Sequence, residues 1–144
     1  METKIKKLDN LFIALLAIQA AFTLIALLIS SSSISLQLPI SRSFIKIFIM
    51  VQIFITVVYG NYFANSKFKL AGKETDTETK HLLYYTAYSV RLLFLTICNL
   101  LNVTAFIITS NEIYAIVTVP LLILYFIYKP DRKIFEDLPE TADS

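Results

Sequence analysis

An arginine, two asparagines and a pair of tyrosines lie along one line of an otherwise apolar stretch. At 100° per residue, Tyr84, Tyr88, Arg91, Leu95, Asn99 and Asn102 fall within one third of a helical turn, while Phe94, Ile97, Leu101 and Ile108 point elsewhere. A guanidinium beside phenol rings can bind a phosphate or carboxylate through paired N–H donors, and amides can bind one another or a polar ligand. Gln19 and Gln52 interrupt two further apolar stretches in the same way. Arg91, Tyr84, Tyr88, Gln19, Gln52, Asn99 and Asn102 are therefore the candidate ligand site or structural polar cluster. Other chemistries lack their parts. The apolar stretches contain no Asp or Glu, so the buried carboxylate of proton-coupled transport is missing. His81 is the only histidine, which excludes a bis-histidine haem or a histidine metal site within one chain. Cys98 is the single cysteine, so it forms no intrachain disulfide, and it lies roughly 25 Å along a helix from His81, out of reach of a base. The expectation is a protein that is not an enzyme, with no catalytic residue, metal or cofactor.

What positions these residues is a set of membrane helices. Of 144 residues 56% are hydrophobic and 17% charged, and the mean hydropathy of +0.66 exceeds what a small soluble core could hide. The pattern predicts an all-α, polytopic membrane protein, a single domain built as a four-transmembrane-helix bundle. Its spans cover about 11–29, 44–64, 82–108 and 113–128, followed by a polar tail over 129–144. The first run is longer than the apolar part of a signal peptide, and Ser30 to Ser33 offer no cleavage site. Ala14, Ala17 and Ala21 share one face of it, opposite Gln19 and Thr23, so neighbours are expected on both sides. Span two carries Gln52, Thr56 and Tyr59 as a second polar stripe, with Lys46 placed to snorkel at its start. A hydrophilic loop is expected over 65–81. Thr75 and Glu78 fit a capping box, starting the third helix near Asp76. From there to Ile108 is roughly 50 Å of helix against about 30 Å of hydrocarbon, so several turns project from the membrane. Thr109 to Glu112 is a tight connection, and Pro120 frees the carbonyl of Ile116 inside the last span.

Depths follow from the helical rise. Arg91 is roughly 26 Å from Ile108, just inside the far boundary, where it can snorkel to headgroups or hold an anion. Gln19, Gln52 and Asn99 all lie roughly 12 to 15 Å deep and are expected to form one layer, with Asn102 and Pro120 close by. Such a layer is either interhelical glue or a polar pocket.

Ten of the thirteen lysines and arginines precede span one, lie in the 65–81 loop or follow span four. The positive-inside rule then puts both termini in the cytoplasm. Most tyrosines gather at the same ends as an aromatic belt. The arginine-bearing third helix, the Thr109-Ser110-Asn111 hairpin, the apolar last helix and Tyr128-Lys129-Pro130 leading to Asp137-Leu138 resemble small uncharacterised bacterial four-span inner-membrane proteins. The resemblance covers the last third of the chain; it implies an inner-membrane four-helix protein and carries no activity or site residues. The expected role is a non-enzymatic accessory or interaction subunit of the inner membrane. Its partners are the lipid bilayer and other membrane proteins or further copies of the chain. The alternative is a small carrier or binder of a lipid or small anion, using Arg91 and the amide layer. Clustered basic residues with interleaved aromatics are absent, which argues against nucleic acid. Topology reporters fused at Asn10, Lys73 and Asp143 should all report cytoplasm and one at Gln37 the outer side; a periplasmic signal at Lys73 would reverse the assignment.

Overall fold

Long apolar runs leave the backbone one economical way to satisfy its hydrogen bonds away from water, and the chain takes it four times. The computed structural model describes residues 2–31 and 41–130, with side-chain surroundings for 6–30 and 41–130. Within them lie α1 (Glu2–Ser31), α2 (Arg42–Ala71), α3 (Thr77–Thr109) and α4 (Glu112–Ile127). Most of the connection expected over 30–43, and the tail from 131 with Asp137-Leu138, fall outside the described residues. The first three helices are long and apolar enough to cross a membrane. At 16 residues, α4 is roughly 24 Å long and stands below that length.

The helices are arranged around α3. Each of α1, α2 and α4 packs on α3 and hardly on the others. Half of the most apolar window of α3 is buried, against 22% for α1 and for α2, which identifies α3 as the inner helix. Three apolar clusters succeed one another along it. Near the Ser110-Asn111 turn, Ala26, Ile45 and Ile49 meet Val103, Phe106 and Tyr114. In the middle, Phe12 and Leu15 meet Leu92, Leu95 and Tyr125. At the far end Leu8 meets Tyr88, with Phe68 and Tyr84 beside them. Facing outward are Leu28, Phe54 and Ile116, each about two-thirds exposed, a surface suited to acyl chains.

Several expectations are corrected. The helix of α2 continues to Ala71, so the loop expected over 65–81 shrinks to 72–76, and His81 is buried on the second turn of α3. Thr56, Gly60, Ala64 and Ala71 form one buried stripe that carries the helical spacing past the expected boundary. Gly60 permits a close approach, since a Cβ there would sit 3.5 Å from that of Phe94. Among the described residues span one is not sandwiched: Ala14, Ala17 and Ala21 are exposed, and the Phe12, Leu15 and Gln19 face is the one covered. On α4, Pro120 and Ile116 lie on the exposed face, while Tyr114, Thr118, Leu121 and Tyr125 are buried. The aromatic belt narrows as well. Tyr59 and Tyr62 are the strongly exposed tyrosines, whereas Tyr88, Tyr114 and Tyr125 are interior.

At the hairpin, Ser110 adopts φ 50 and donates its N–H to Phe106 O, closing α3 with a left-handed residue. Asn111 then caps α4 by accepting from Ile113 N. The start of α3 is capped one residue later than the Thr75 box predicts. Asp76 Oδ2 accepts from Thr79 N at 2.9 Å and from the Thr79 hydroxyl. The Thr79 side-chain bond, then its backbone N–H, hold the Asp76 carboxyl below its ordinary value of 3.8. A depressed carboxylate contributes its stability above the unfolded-state pKa and loses it as pH falls through the folded one. Amide protection at Thr79 and Lys80 should therefore decline below about pH 4 in the parent and be insensitive to pH in Asp76→Asn. Thr75→Ala should leave it intact; loss of protection in that variant would restore Thr75 as the cap.

Candidate functional site

The interior polar groups form two knots on α3. In the first, Gln19 of α1 is 1% exposed and aimed at α3. Asn99 Nδ2 donates to Gln19 Oε1 at 2.9 Å, and Gln19 Nε2 donates to Thr96 Oγ1 at 3.1 Å and to Leu15 O at 3.3 Å. In the second, Asn102 Nδ2 donates to Tyr114 O and, at 2.9 Å, to Thr118 Oγ1. Thr118 in turn donates to Tyr114 O at 3.1 Å. One knot joins α3 to α1 and the other joins it to α4. Close by, Tyr125 donates its hydroxyl to Phe12 O at 2.9 Å and stacks on the Phe12 ring at 4.9 Å, bridging α4 to α1.

The expected three-amide layer is thus two-thirds formed. Gln52 does not reach Asn99; it lies against the Cys98 thiol, which also faces Thr56. A thiol is a weak donor and acceptor, and neither Gln52 amide atom has a hydrogen bond of good geometry. The carbonyl oxygens of Asn99 and Asn102 are likewise buried without one. Pro120 takes no part, its place on α4 being filled by Thr118.

Arg91 occupies a different setting from the one its stripe suggests. Its guanidinium lies over Tyr128 at 4.3 Å and Phe68 at 5.3 Å, rather than stacking on Tyr84 or Tyr88. Those two tyrosines pack instead on Phe68, at 5.8 and 5.1 Å between ring centroids. Nη2 of Arg91 donates to Asn65 Oδ1 at 3.0 Å. Asn65 and Phe68 escape sequence reasoning because they lie in the stretch read as loop, and Tyr128, expected as the last residue of span four, carries no sign that it faces Arg91. The continuing small-residue stripe of α2 was the signal for Asn65 and Phe68. Thr96 and Thr118 are missed for another reason, since single threonines are common in membrane helices and nothing marks these two as partners.

Beside Arg91 a space of about 10 Å³ lies between α2, α3 and α4, bordered by Thr56, Gly60, Asn61, Leu124 and Tyr128. That is room for about one water molecule. Neither Gln19 nor Asn99 borders it. Among the described residues no group of His, Cys, Asp or Glu could hold a metal ion.

Comparison with known proteins adds no assignment: no family model, no curated protein and no solved structure matches the chain. The knots can be tested directly. In a detergent unfolding assay, Gln19→Leu and Asn99→Leu should be coupled by about 0.5 to 1.5 kcal/mol. Gln52→Leu and Asn99→Leu should add within about 0.5 kcal/mol, because no bond joins them.

Proposed function

We propose that this chain is a non-enzymatic integral membrane protein, an accessory or interaction subunit of the bacterial inner membrane with both termini in the cytoplasm. The observation that carries this reading is the use of the interior polar groups. The amides and threonines of the two knots are bonded to one another across helices, which makes them fasteners of α3 to its neighbours. A carrier needs those groups facing an opening that continues from one side. The space beside Arg91 is the size of a water molecule and does not reach the Gln19–Asn99 pair, which favours the structural reading over carriage.

Lysines at the ends of the helices support the orientation. Lys6 and Lys7 of α1, Lys67 and Lys69 of α2, Lys80 of α3 and Lys129 beyond α4 all gather at the end opposite the Ser110-Asn111 turn. Partners in this reading are lipid and a neighbouring membrane protein or second copy. The surface available to them includes the face of α1 carrying Ala14, Ala17 and Ala21, which none of the described helices covers.

Photo-crosslinking in intact cells tests the role. A crosslinker at Ala17 should give one discrete adduct of defined mass, and one at buried Leu92 should give none. A chain that is monomeric in mild detergent and yields only lipid adducts from Ala17 would overturn the interaction role.

A further inference from the structure

The geometry points to a binding site for one phosphate group, that of a membrane phospholipid headgroup, in the cleft between α2 and α4 that α3 floors with Arg91. Both α2 and α4 lean on α3 and scarcely on each other, so the groove between them is bottomed by the inner helix. Its depth is lined by buried Thr56, Gly60 and Leu95, and its mouth by half-buried Asn61, Leu124 and Tyr128.

Arg91 is held there as a preset donor. Tyr128 and Phe68 cover it at 4.3 and 5.3 Å, and Asn65 fixes one terminal nitrogen, which removes much of the rotamer freedom a binding arginine must give up. Among the described residues this group of five N–H donors makes one hydrogen bond, to Asn65. Its Nε is buried without a partner. Among the described residues the contacts of Arg91 are an amide and two rings, and none is a carboxylate.

Position and size choose the anion. Arg91 lies 18 residues before the end of α3, roughly 27 Å, and about 30 Å of hydrocarbon puts it at the level where lipid phosphates begin. The inner space of about 10 Å³ admits one phosphate oxygen but not a whole solute. The remainder of the headgroup would sit at the mouth beside Asn61 and Tyr128, with an acyl chain descending past Leu124. Fork-like donors match a phosphate better than a point charge does.

The test is native mass spectrometry of the intact protein released from mild detergent, titrated with phosphatidylglycerol, with diacylglycerol of the same chains, or with inorganic phosphate. Phosphatidylglycerol should bind the parent at one site and diacylglycerol should not. Arg91→Leu should weaken that binding by about tenfold and Arg91→Lys by about threefold, consistent with loss of charge-assisted bonds. Leu124→Trp, which obstructs the mouth and leaves the guanidinium in place, should also weaken it, keeping the proposal testable should Arg91→Leu fail to fold. Equal phosphatidylglycerol binding in the parent, Arg91→Leu and Leu124→Trp would overturn the site. Inorganic phosphate binding as tightly as phosphatidylglycerol would overturn the lipid assignment in favour of the free anion.

Discussion

Among acyl chains an amide has no water to turn to, and the seating of α1 and α4 on α3 follows from where α3 puts its two. Asn99 and Asn102 are three residues apart, about 60° around the helix and one turn along it, so on the same inward stripe each meets a different neighbour. Asn99 takes Gln19 of α1, whereas Asn102 takes Thr118 and the Tyr114 carbonyl of α4. Because water cannot substitute, each bond favours one register of its pair, although the net contribution is modest, about 0.6 kcal/mol on average. Apolar packing alone would be less selective, since lipid tails are as good a neighbour for leucine as another leucine is.

The contact of α2 with α3 is of another kind. No hydrogen bond of good geometry joins Gln52 to α3. Instead Thr56, Gly60, Ala64 and Ala71 keep their side chains short enough for the backbones to approach, and Phe94 lies against Gly60. At the end of that stripe the helix delivers Phe68 to Tyr84 and Tyr88, and Asn65 to Arg91. Among the described residues the arginine is therefore placed by an amide and two rings rather than by an ion pair.

Much of this was legible in the residues. Helix type, the inward stripe of α3 and the start of α3 near Asp76 follow from periodicity and capping residues, because both are local. The partners of each polar group were not. Equal depth suggested that Gln52 joins Gln19 and Asn99, but depth says nothing of the angle at which α2 faces α3, and that angle turns Gln52 to Cys98. The end of α2 was misjudged because Lys67 and Lys69 read as loop, although lysines on the outer side of a helix past the membrane boundary cost it nothing. Likewise the small face of α1 looked like a contact surface, while the bulkier Phe12, Leu15 and Gln19 face is the one α3 covers.

The bond between Asn99 and Gln19 spans 80 residues of sequence. At a synthesis rate of about 5 to 20 residues per second, Asn99 is made roughly 4 to 16 s after Gln19. For that interval α1 resides in lipid with an amide whose eventual partner does not yet exist. Its own backbone supplies a provisional one, for Gln19 Nε2 lies 3.3 Å from Leu15 O, one turn back on the same helix. The arrival of α3 then gives the second N–H of that amide Thr96 and its oxygen Asn99, neither of which α1 supplies by itself.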